Sequence, residues 1–456
     1  MGKMQELKLA PDVREEMLNP EFWLKEDDYK IIMNEEEIKN FNFSTYQRAI
    51  KFDKEEVFLD LEKYPEQLSK KRIREVMEIE DKAAELKQKK YYNRQGRKLN
   101  DEQKKLIIEN ANLKYLENEV ESVKKVGFAV LVKRSSIKKY PTDIFLAADK
   151  ITVDLDLNQL TALSVGTPCA VLAESRDQNW LFIQAKLYKG WVKKNSTAAA
   201  KNKEEALSYL KNKRFLVVTE SRIETEPNPF DRDISNVVFQ MGDKVPLLKN
   251  EEIPVSIPES NPQAQSAEGC YAVWIPTRKK DGLLKFKKAL IARSNDLNEG
   301  FLNYSRANII KQAFKLLGER YGWGGLFNRR DCSRFIMDIY RTVGIELPRD
   351  SGSAQQKIAA GKRIEIKGEL QARKMELSQL EAGDPIYMKG HVVLYLGKSE
   401  SKHYLIHSAS GYSKKVNSEN FTVTVHGVFV MKAEQLMKEG NGTYLEAFNL
   451  ARKFCN

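Results

Sequence analysis

The sequence predicts a multidomain α+β protein: a helical N-terminal segment, two small β-barrels in tandem, and a C-terminal domain of helices and strands. First, 456 residues are too many for one hydrophobic core. Second, the N-terminal part is rich in Glu, Lys, Leu and Ala without strand alternation, whereas short β-rich runs between polar turns follow it. Third, helical spacing returns from about residue 303 before a last set of β-runs. The predicted boundaries are 1–126 for the helical segment, 127–200 and 201–300 for the barrels, and 301–456 for the C-terminal domain.

Within the first three segments, turn signals separate the elements. The helical segment carries a predicted turn near "NRQGRKLND". The first barrel runs from "FAVLVKRSSIKKYPTDIF" to "NWLFIQAKLYKGWVKKN", and a lysine-rich helical link, "STAAAKNKEEALSYLKNK", leads to the second. The Pro- and Ser-rich "IPVSIPESNPQAQSAEG" inside the second barrel indicates an exposed loop.

Composition excludes several classes of protein. The net charge of +12, from 76 Lys and Arg against 64 Asp and Glu, favours an anionic partner or serves solubility alone. Nucleic acid is set aside, because no arginine-rich tract alternates with aromatic residues. No apolar run is long enough to form an integral membrane segment. The four cysteines indicate neither a zinc site nor a disulfide scaffold, and the composition gives no indication of oligomeric state.

One cysteine lies where a helix is predicted to begin. The apolar spacing of "DCSRFIMDIYRTVGIELPRD" predicts a helix that ends near Gly344, with Asp331 as its cap and Cys332 and Ser333 in its first turn. The positive end of a helix stabilises a thiolate, so we expect a lowered pKa for Cys332. The same backbone N–H groups suit an oxyanion, and the glycines of "GWGGLF" are expected to let a substrate approach. The opposing interpretation is a small buried apolar cysteine.

A cysteine nucleophile needs a base, and two histidines are candidates. His391 begins the predicted strand "HVVLYLG", and His407 lies 16 residues later in "YLIHSASG". Adjacent antiparallel strands would place one imidazole to accept the thiol proton and the other to orient the first. His403 is expected at the surface and His426 in packing. The remaining cysteines are interpreted as structural: Cys169, Cys270 and Cys455.

Six motifs occur here in the order seen in the NlpC family of papain-like cysteine peptidases: "YGWGG", "DCSRF", "GIELPRDS", "AGDPIYM", "HVVLYLG" and "YLIHSASG". The upstream regions resemble a branch of that family in which a helical segment and two bacterial SH3-like barrels precede the peptidase. The branch consists of γ-D-glutamyl-diamino acid endopeptidases, which cleave peptidoglycan stem peptides. The resemblance therefore implies this activity, with stem peptides as partner and no metal or cofactor required.

The resemblance also implies roles for individual residues. Cys332 is the expected nucleophile, His391 the base and His407 the residue that orients it. Tyr321 matches a tyrosine that lines the site, and Tyr188, in "LYKGWV", matches one that closes the substrate pocket of the branch.

The substrate-selective residues follow from the same comparison. In the branch the first barrel covers one end of the groove, so we expect Asp331 and the Tyr188 hydroxyl to receive the free α-ammonium of L-Ala, with Ser333 also in contact with substrate. The alternative is that Tyr188 is a barrel core residue beside an open groove.

Two residues depart from the family pattern. Arg334 stands where glycine is usual and is expected either to crowd the groove or to contact an anionic ligand. Pro385 stands where an apolar strand residue is usual. Neither departure removes a catalytic group.

Alternatives to the peptidase hypothesis remain. One is a wall-binding protein with an inactive peptidase domain, and another is an acyltransferase on the same fold. The first residues lack an apolar signal core, so we expect either a cytoplasmic recycling enzyme or a mature protein of the bacterial periplasm or cell envelope. The choice between diaminopimelate and lysine stays open.

Overall fold

The structure is a computed structural model that describes residues 8–52, 58–111, 122–261, 263–440 and 442–455. Parts of the predicted helical segment, residues 1–7, 53–57 and 112–121, lie outside the described residues. No helix in the described part of the chain is long and apolar enough to cross a membrane.

The helices and strands are numbered here in chain order. The α-helices are α1 Glu35–Lys51, α2 Lys70–Met77, α3 Ile79–Gln88, α4 Asp101–Asn110, α5 Lys203–Lys211, α6 Arg306–Phe314, α7 Cys332–Arg341, α8 Ser353–Ile358, α9 Leu370–Leu377 and α10 Tyr444–Ala447. The strands are β1 Gln67–Ser69, β2 Val123–Lys125, β3 Gly127–Leu131, β4 Ser135–Lys138, β5 Gln159–Leu163, β6 Pro168–Glu174, β7 Trp180–Ala185, β8 Lys189–Lys193, β9 Thr197–Ala200, β10 Phe215–Val218, β11 Arg222–Glu224, β12 Val238–Gln240, β13 Lys244–Pro246, β14 Cys270–Arg278, β15 Leu284–Ala292, β16 Leu297–Glu299, β17 Lys362–Glu365, β18 Pro385–Met388, β19 His391–Ser399, β20 Lys402–Val416, β21 Glu419–Lys432, β22 Leu436–Met437 and β23 Leu450–Lys453.

The chain divides into two compact units. The catalytic unit, as we call it after its candidate site, comprises Met1–Phe52, Phe301–Gly322 and Arg329–Asn456. The β unit comprises Asp53–Gly300 and Trp323–Asn328. The N-terminal helical segment thus contributes α1 to the catalytic unit and α2, α3 and α4 to the β unit, with the predicted turn around Gly96 between α3 and α4.

The first part of the β unit is a seven-stranded sheet with strand order β5-β4-β8-β7-β6-β3-β9. Its core contains Trp180, Phe182 and Trp191, with the rings of the last two edge to face at 5.4 Å. The predicted helical link is only partly helical. Its first residues form β9 because they pair with β3, as Ala199 does with Ala129, and the helix α5 begins after the cap Asn202.

The second part of the β unit has three small sheets, of order β13-β10-β16, β11-β12 and β14-β15. They surround a core of aliphatic side chains and Phe239. The β14-β15 hairpin pairs Cys270 with Ala292 through to Arg278 with Leu284. Among the described strands, neither part forms a closed ring of paired strands, although the order of small antiparallel elements is that predicted for barrels.

The catalytic unit is built on an antiparallel sheet of order β17-β23-β18-β19-β20-β21, with β22 paired to β20. Helix α7 packs against β19 and β20 and is buried along most of its length, with Phe335, Ile336 and Ile339 fully enclosed. A second core of the catalytic unit combines Val393 and Leu405 of the sheet with residues of α9 and α10 such as Leu377 and Leu445. The start of α7 is thereby fixed beside the start of β19.

Candidate functional site

The predicted cap of α7 is confirmed. Asp331 has extended backbone angles, and its Oδ1 accepts a hydrogen bond of 2.9 Å from the backbone N–H of Arg334. The helix begins at Cys332, so the thiol and the Ser333 hydroxyl both lie in the first turn. This turn carries the unpaired backbone N–H groups that an α-helix leaves at its start.

A buried arginine fixes this turn from the side. Arg349 donates to the Ser333 hydroxyl at 2.6 Å and to Oδ2 of Asp331, and Arg349 and Asp331 are both buried. Burial alone would raise the pKa of Asp331, but the Arg349 guanidinium and the N–H of Arg334 outweigh it and hold that pKa below its usual value. Asp331 is therefore an anion whose two oxygens already have partners.

Cys332 is almost fully enclosed, with 7% of its surface exposed. Burial raises the pKa of its thiol to about 12, and the Asp331 carboxylate adds to the increase. The N–H groups of Val392 and Ser333 and the Arg349 guanidinium favour the thiolate but do not offset this. The expected lowering of the Cys332 pKa by the helix terminus is therefore wrong for the resting protein, because desolvation and a neighbouring carboxylate dominate. The Val392 N–H that favours the thiolate belongs to the residue after His391, so the thiol lies at the start of β19.

The two candidate histidines are hydrogen bonded to each other. Nε2 of His391 lies 2.8 Å from Nδ1 of His407, and the ring planes meet at 68°. The register pairs Leu394 with Ile406, which places His391 and His407 on the same face of the sheet as diagonal neighbours. Antiparallel pairing of β19 and β20 thus produces the contact that the spacing of 16 residues predicted.

Burial keeps both imidazoles neutral. It lowers the pKa of His391 to about 4, although the Asp331 carboxylate opposes this change, and it lowers the pKa of His407 well below its usual value, to which His391 adds. His391 uses Nε2 for His407, so Nδ1 is the nitrogen that remains for a proton from a thiol. If Nδ1 of His391 is to accept a proton, the proton of the neutral His391 ring must lie on Nε2. This Nε2–H then donates to Nδ1 of His407.

The tautomer of His407 follows from this bond. Its proton must lie on Nε2, a buried nitrogen that has no hydrogen-bond partner within the described chain. Aromatic rings surround it instead: Phe429 at 4.6 Å and Tyr444 at 5.4 Å between centroids, both edge to face. The Tyr444 hydroxyl donates to the carbonyl of Gly411, which holds that ring in place.

The two departures from the family pattern have structural explanations. Arg334 is buried and donates through Nε to Asp338 at 2.6 Å, so it neither crowds a groove nor is available to a ligand. Asp338 also accepts from Arg330, which in turn binds both oxygens of Glu319, and the four charges form a buried network under α7. Pro385 is the first residue of β18, a position where its missing N–H is tolerated.

Two of the three glycines of "GWGGLF" are packed against a strand. Gly324 and Gly325 have φ of 54° and 85° and pack within the β unit against β5, where added Cβ atoms would lie 2.8 Å from Gln159 Cγ and 2.6 Å from Ala162 Cβ. The Gln159 amide donates to the Gly324 carbonyl at 2.8 Å. The expectation that the glycines admit a substrate is wrong for Gly324 and Gly325, because these two serve the close approach to β5.

The predicted tyrosines lie in different units. Tyr321 belongs to the catalytic unit, is half-buried, and donates its backbone N–H to the carbonyl of His426 at 2.8 Å. Tyr188 belongs to the β unit and immediately precedes β8, where its carbonyl accepts from the N–H of Ala185 at 2.9 Å. Tyr188 is half-buried in this hairpin turn rather than enclosed in the core.

Among the remaining histidines and cysteines, one expectation is wrong. His403 is buried, not at the surface, because β20 directs it toward the Tyr395 hydroxyl, 2.7 Å from Nδ1. His426 is half-buried with a φ of 49°. All four cysteines are free thiols, and burial raises the pKa of Cys169 to about 12. No group of His, Cys, Asp or Glu suited to a metal ion occurs within the described ranges.

Sequence reasoning missed the residues that surround the predicted site. Arg349, Phe429 and Tyr444 touch Asp331 or His407, although each is distant in sequence from the side chain it contacts. Arg349 lies in the quoted motif "GIELPRDS", but nothing in the motif indicates its partner. The β20-β21 register that brings Phe429 opposite His407 could have been proposed only once the hairpin was known.

The structure thus has a buried cysteine at the start of α7 and a hydrogen-bonded histidine pair on β19 and β20, the two strands against which α7 packs. In comparison with known sequences, the NlpC/P60 family matches residues 318–430, and the SH3 domain of SH3b1 type matches residues 145–193. The chain therefore carries an NlpC/P60 domain, of a family that typically consists of cysteine peptidases, and an SH3b1-type domain. No curated protein matches the chain in sequence.

A solved structure shows the same fold. The chain is similar to the protein described as a novel NlpC/P60 endopeptidase from Photobacterium damselae subsp. piscicida, with a TM-score of 0.72 and 16% identity over 95% of this chain and 96% of the other. A NlpC/P60 family protein from Bacillus cereus ATCC 10987 is 18% identical over 72% of this chain and all of the other, with a TM-score of 0.46. The first likeness extends along nearly the whole chain.

Proposed function

We propose that this protein is a cysteine endopeptidase that cleaves the γ-D-glutamyl-diamino acid bond of peptidoglycan stem peptides and prefers a free N-terminal L-Ala. The observation that carries the proposal is the hydrogen bond of 2.8 Å between His391 and His407, next to the helix start that holds Cys332. The bond class and the L-Ala preference rest on the resemblance in motifs.

The proposed reaction begins from neutral groups. Nδ1 of His391 takes the Sγ proton of Cys332 as sulfur attacks the γ-carbonyl, and the Cys332 N–H helps to hold the oxyanion. The imidazolium then protonates the leaving amine, which departs and leaves a thioester. A water molecule, deprotonated by His391, hydrolyses the thioester and restores the thiol. His407 keeps His391 in the tautomer that this sequence requires.

Selection of a free L-Ala is proposed for Asp331, with Tyr188, Tyr321 and Ser333 as further substrate contacts. Asp331 keeps a negative charge in a buried setting, since Arg349 lowers the pKa of its carboxyl. Arg349 already pairs with Asp331, so the proposed α-ammonium would share this carboxylate with the guanidinium, whereas an acetylated amine would forfeit that charged contact.

The test measures hydrolysis of L-Ala-γ-D-Glu-diamino acid peptides by mass analysis of products. We expect Cys332→Ala to abolish turnover and leave the fold unchanged by circular dichroism, and N-acetylation of the peptide to lower kcat/KM by about a hundredfold in the parent protein. Turnover by Cys332→Ala would contradict the nucleophile. Equal cleavage of free and acetylated peptides, or efficient cleavage of intact sacculi, would contradict the L-Ala preference alone.

We propose the bacterial cell envelope as the place of action, with cytoplasmic recycling of wall peptides as the alternative. Peptidoglycan is the substrate in both cases. Fractionation of cells that produce the full protein, followed by activity measurement in each fraction, distinguishes the two.

A further inference from the structure

A polar cleft lies in the β unit, where the ends of β8 and β14 meet the turn between β6 and β7. Its volume is about 510 Å³. Its walls carry three lysines, one arginine, three amides and a serine, and no carboxylate or aromatic side chain. A volume of several hundred Å³ is typical of a small-molecule site, but apolar walls are usual for such sites and are lacking here. The lining therefore suits a charged and hydrophilic ligand.

Three of the four cations are held in position. The Lys193 ammonium lies 3.9 Å from the centroid of the Trp180 ring and pairs with Asp143. Arg278 donates to the carbonyls of Thr197 at 3.1 Å and Gly282 at 2.8 Å. Because these contacts already restrain the long side chains, a ligand would cause a smaller loss of side-chain conformational entropy on binding.

Lys194 is the third of these cations, and it pairs with Glu174. Its backbone N–H donates to the carbonyl of Asn179 at 2.9 Å, which joins the end of β8 to the turn that carries Gln178 and Asn179. The amide side chains of that turn are exposed and are directed into the cleft. Carbonyl and amide groups of a ligand would find donors and acceptors there.

Lys133 is the fourth cation and differs from the others. It is exposed, whereas the other three are half-buried, and like Arg278 it has no carboxylate partner among the residues that the structure describes. Together the four cations outnumber the two carboxylates that pair with them, Asp143 and Glu174, and the protein as a whole is basic. An oxyanion would supply the missing counter-charges.

We infer that this cleft is a binding site for a ligand with two or more oxyanion groups, carboxylates or phosphates. One source of that chemistry is a peptide that bears several carboxylates, such as the substrate class proposed above, and the other is a phosphate-containing wall polymer. All of the lining residues belong to the β unit, and none is assigned a role in the proposed reaction. The inference concerns binding and does not depend on the proposed peptidase activity.

The test is calorimetric titration of the full chain carrying Cys332→Ala with inorganic pyrophosphate and, separately, with L-Ala-γ-D-Glu-diamino acid. We expect one of the two to bind at low salt and Lys133→Glu to weaken that binding by about tenfold or more. Lys213→Glu is the matched control, because it makes the same charge change at an exposed lysine of the β unit outside the cleft. Its affinity should stay within about twofold of the parent value.

The outcomes are distinct. Tighter binding of pyrophosphate identifies phosphate as the source, and tighter binding of the peptide identifies carboxylate. Either conclusion requires that Lys133→Glu weakens the binding of that ligand and that Lys213→Glu does not. Equal affinity in Lys133→Glu and the parent, equal losses in both lysine variants, or binding of neither ligand would overturn the inference. Asn179→Ala keeps the net charge and should also weaken binding, which separates a built site from general attraction. Hydrolysis by the protein with Cys332 intact is measured independently and tests only the proposed function.

Discussion

The charge state of Cys332 at rest is set by its immediate surroundings rather than by the helix it begins. The thiol is buried beside the Asp331 carboxylate, and these two effects exceed the stabilisation that backbone N–H groups and Arg349 give a thiolate. His391 is neutral for the same reason, since burial lowers its pKa to about 4. The resting pair is therefore a thiol and an imidazole, so in the proposed reaction proton transfer accompanies the attack of sulfur on the substrate.

Alkylation of Cys332 by iodoacetamide should report this state. With a thiol pKa raised to about 12, the thiolate fraction is small at neutral pH and the labelling rate should rise about tenfold per pH unit between about pH 7 and 9. The measurement is the mass of the peptide that contains Cys332, which separates it from the half-buried Cys270 and Cys455.

A labelling rate that is already constant below about pH 7 would contradict the neutral pair and indicate a thiolate-imidazolium pair. Cys332→Ala supplies the control for labelling elsewhere. Because the thiol pKa is raised, the labelling rate should increase toward alkaline pH. A thiolate stabilised by the helix terminus alone would instead be labelled at more acidic pH.

At the scale of the element, the sheet joins the two histidines and the aromatic rings that surround them. β19 supplies His391, β20 supplies His407, and β21 places Phe429 opposite His407. The ring of Tyr444, from α10, completes the enclosure of the His407 nitrogen that lacks a polar partner. His407, the residue that we propose orients His391, thus has a position that three separate elements restrain.

The two histidines should therefore differ in their importance. We expect His391→Ala to reduce kcat to background, because it removes the proton acceptor, and His407→Ala to cost less, about a hundredfold, because an orienting group is partly replaceable. KM should change little in either variant if both residues act on the chemical step. Hydrolysis of the defined peptide at saturating concentration measures the difference.

His407→Asn is the conservative variant, because its side-chain oxygen offers an acceptor toward the Nε2 proton of His391. It should recover part of the activity that His407→Ala loses, whereas a purely structural role for His407 would be reflected in unfolding temperature and not in this recovery. Equal losses in His391→Ala and His407→Ala would mean that the pair acts as one unit.

For the whole molecule, elements with strong local signals were predictable and long-range pairings were not. The cap at Asp331, the helix from Cys332 and the strand from His391 follow from capping and periodicity. Arg349 and Asp331, 18 residues apart, meet only in the folded chain, and so do Arg334 and the buried network around Asp338. A charged side chain is normally assigned to the surface by its type, and its burial depends on partners that spacing does not reveal.

The segment Trp323–Asn328 shows that a domain boundary can also depend on long-range packing that the sequence does not reveal. It lies within the predicted C-terminal domain, yet it packs in the β unit, because Gly324 and Gly325 allow a close approach to β5. Glycine in a sequence indicates conformational freedom but not which neighbour requires it. The interpretation of these glycines as part of a substrate groove failed for that reason.

The net charge of +12 is a property of the whole chain and leads to a prediction about wall binding. Peptidoglycan carries free carboxylates, so the Cys332→Ala protein should bind isolated sacculi through general attraction as well as through any specific site. Such attraction is screened when salt shortens the Debye length from roughly 10 Å at about 0.1 M to roughly 3 Å at about 1 M. We therefore expect co-sedimentation with sacculi to fall severalfold between these salt concentrations. Amidation of the sacculus carboxylates should reduce binding at low salt to the same level, and binding that is indifferent to both treatments would show that the excess of lysine and arginine serves solubility alone.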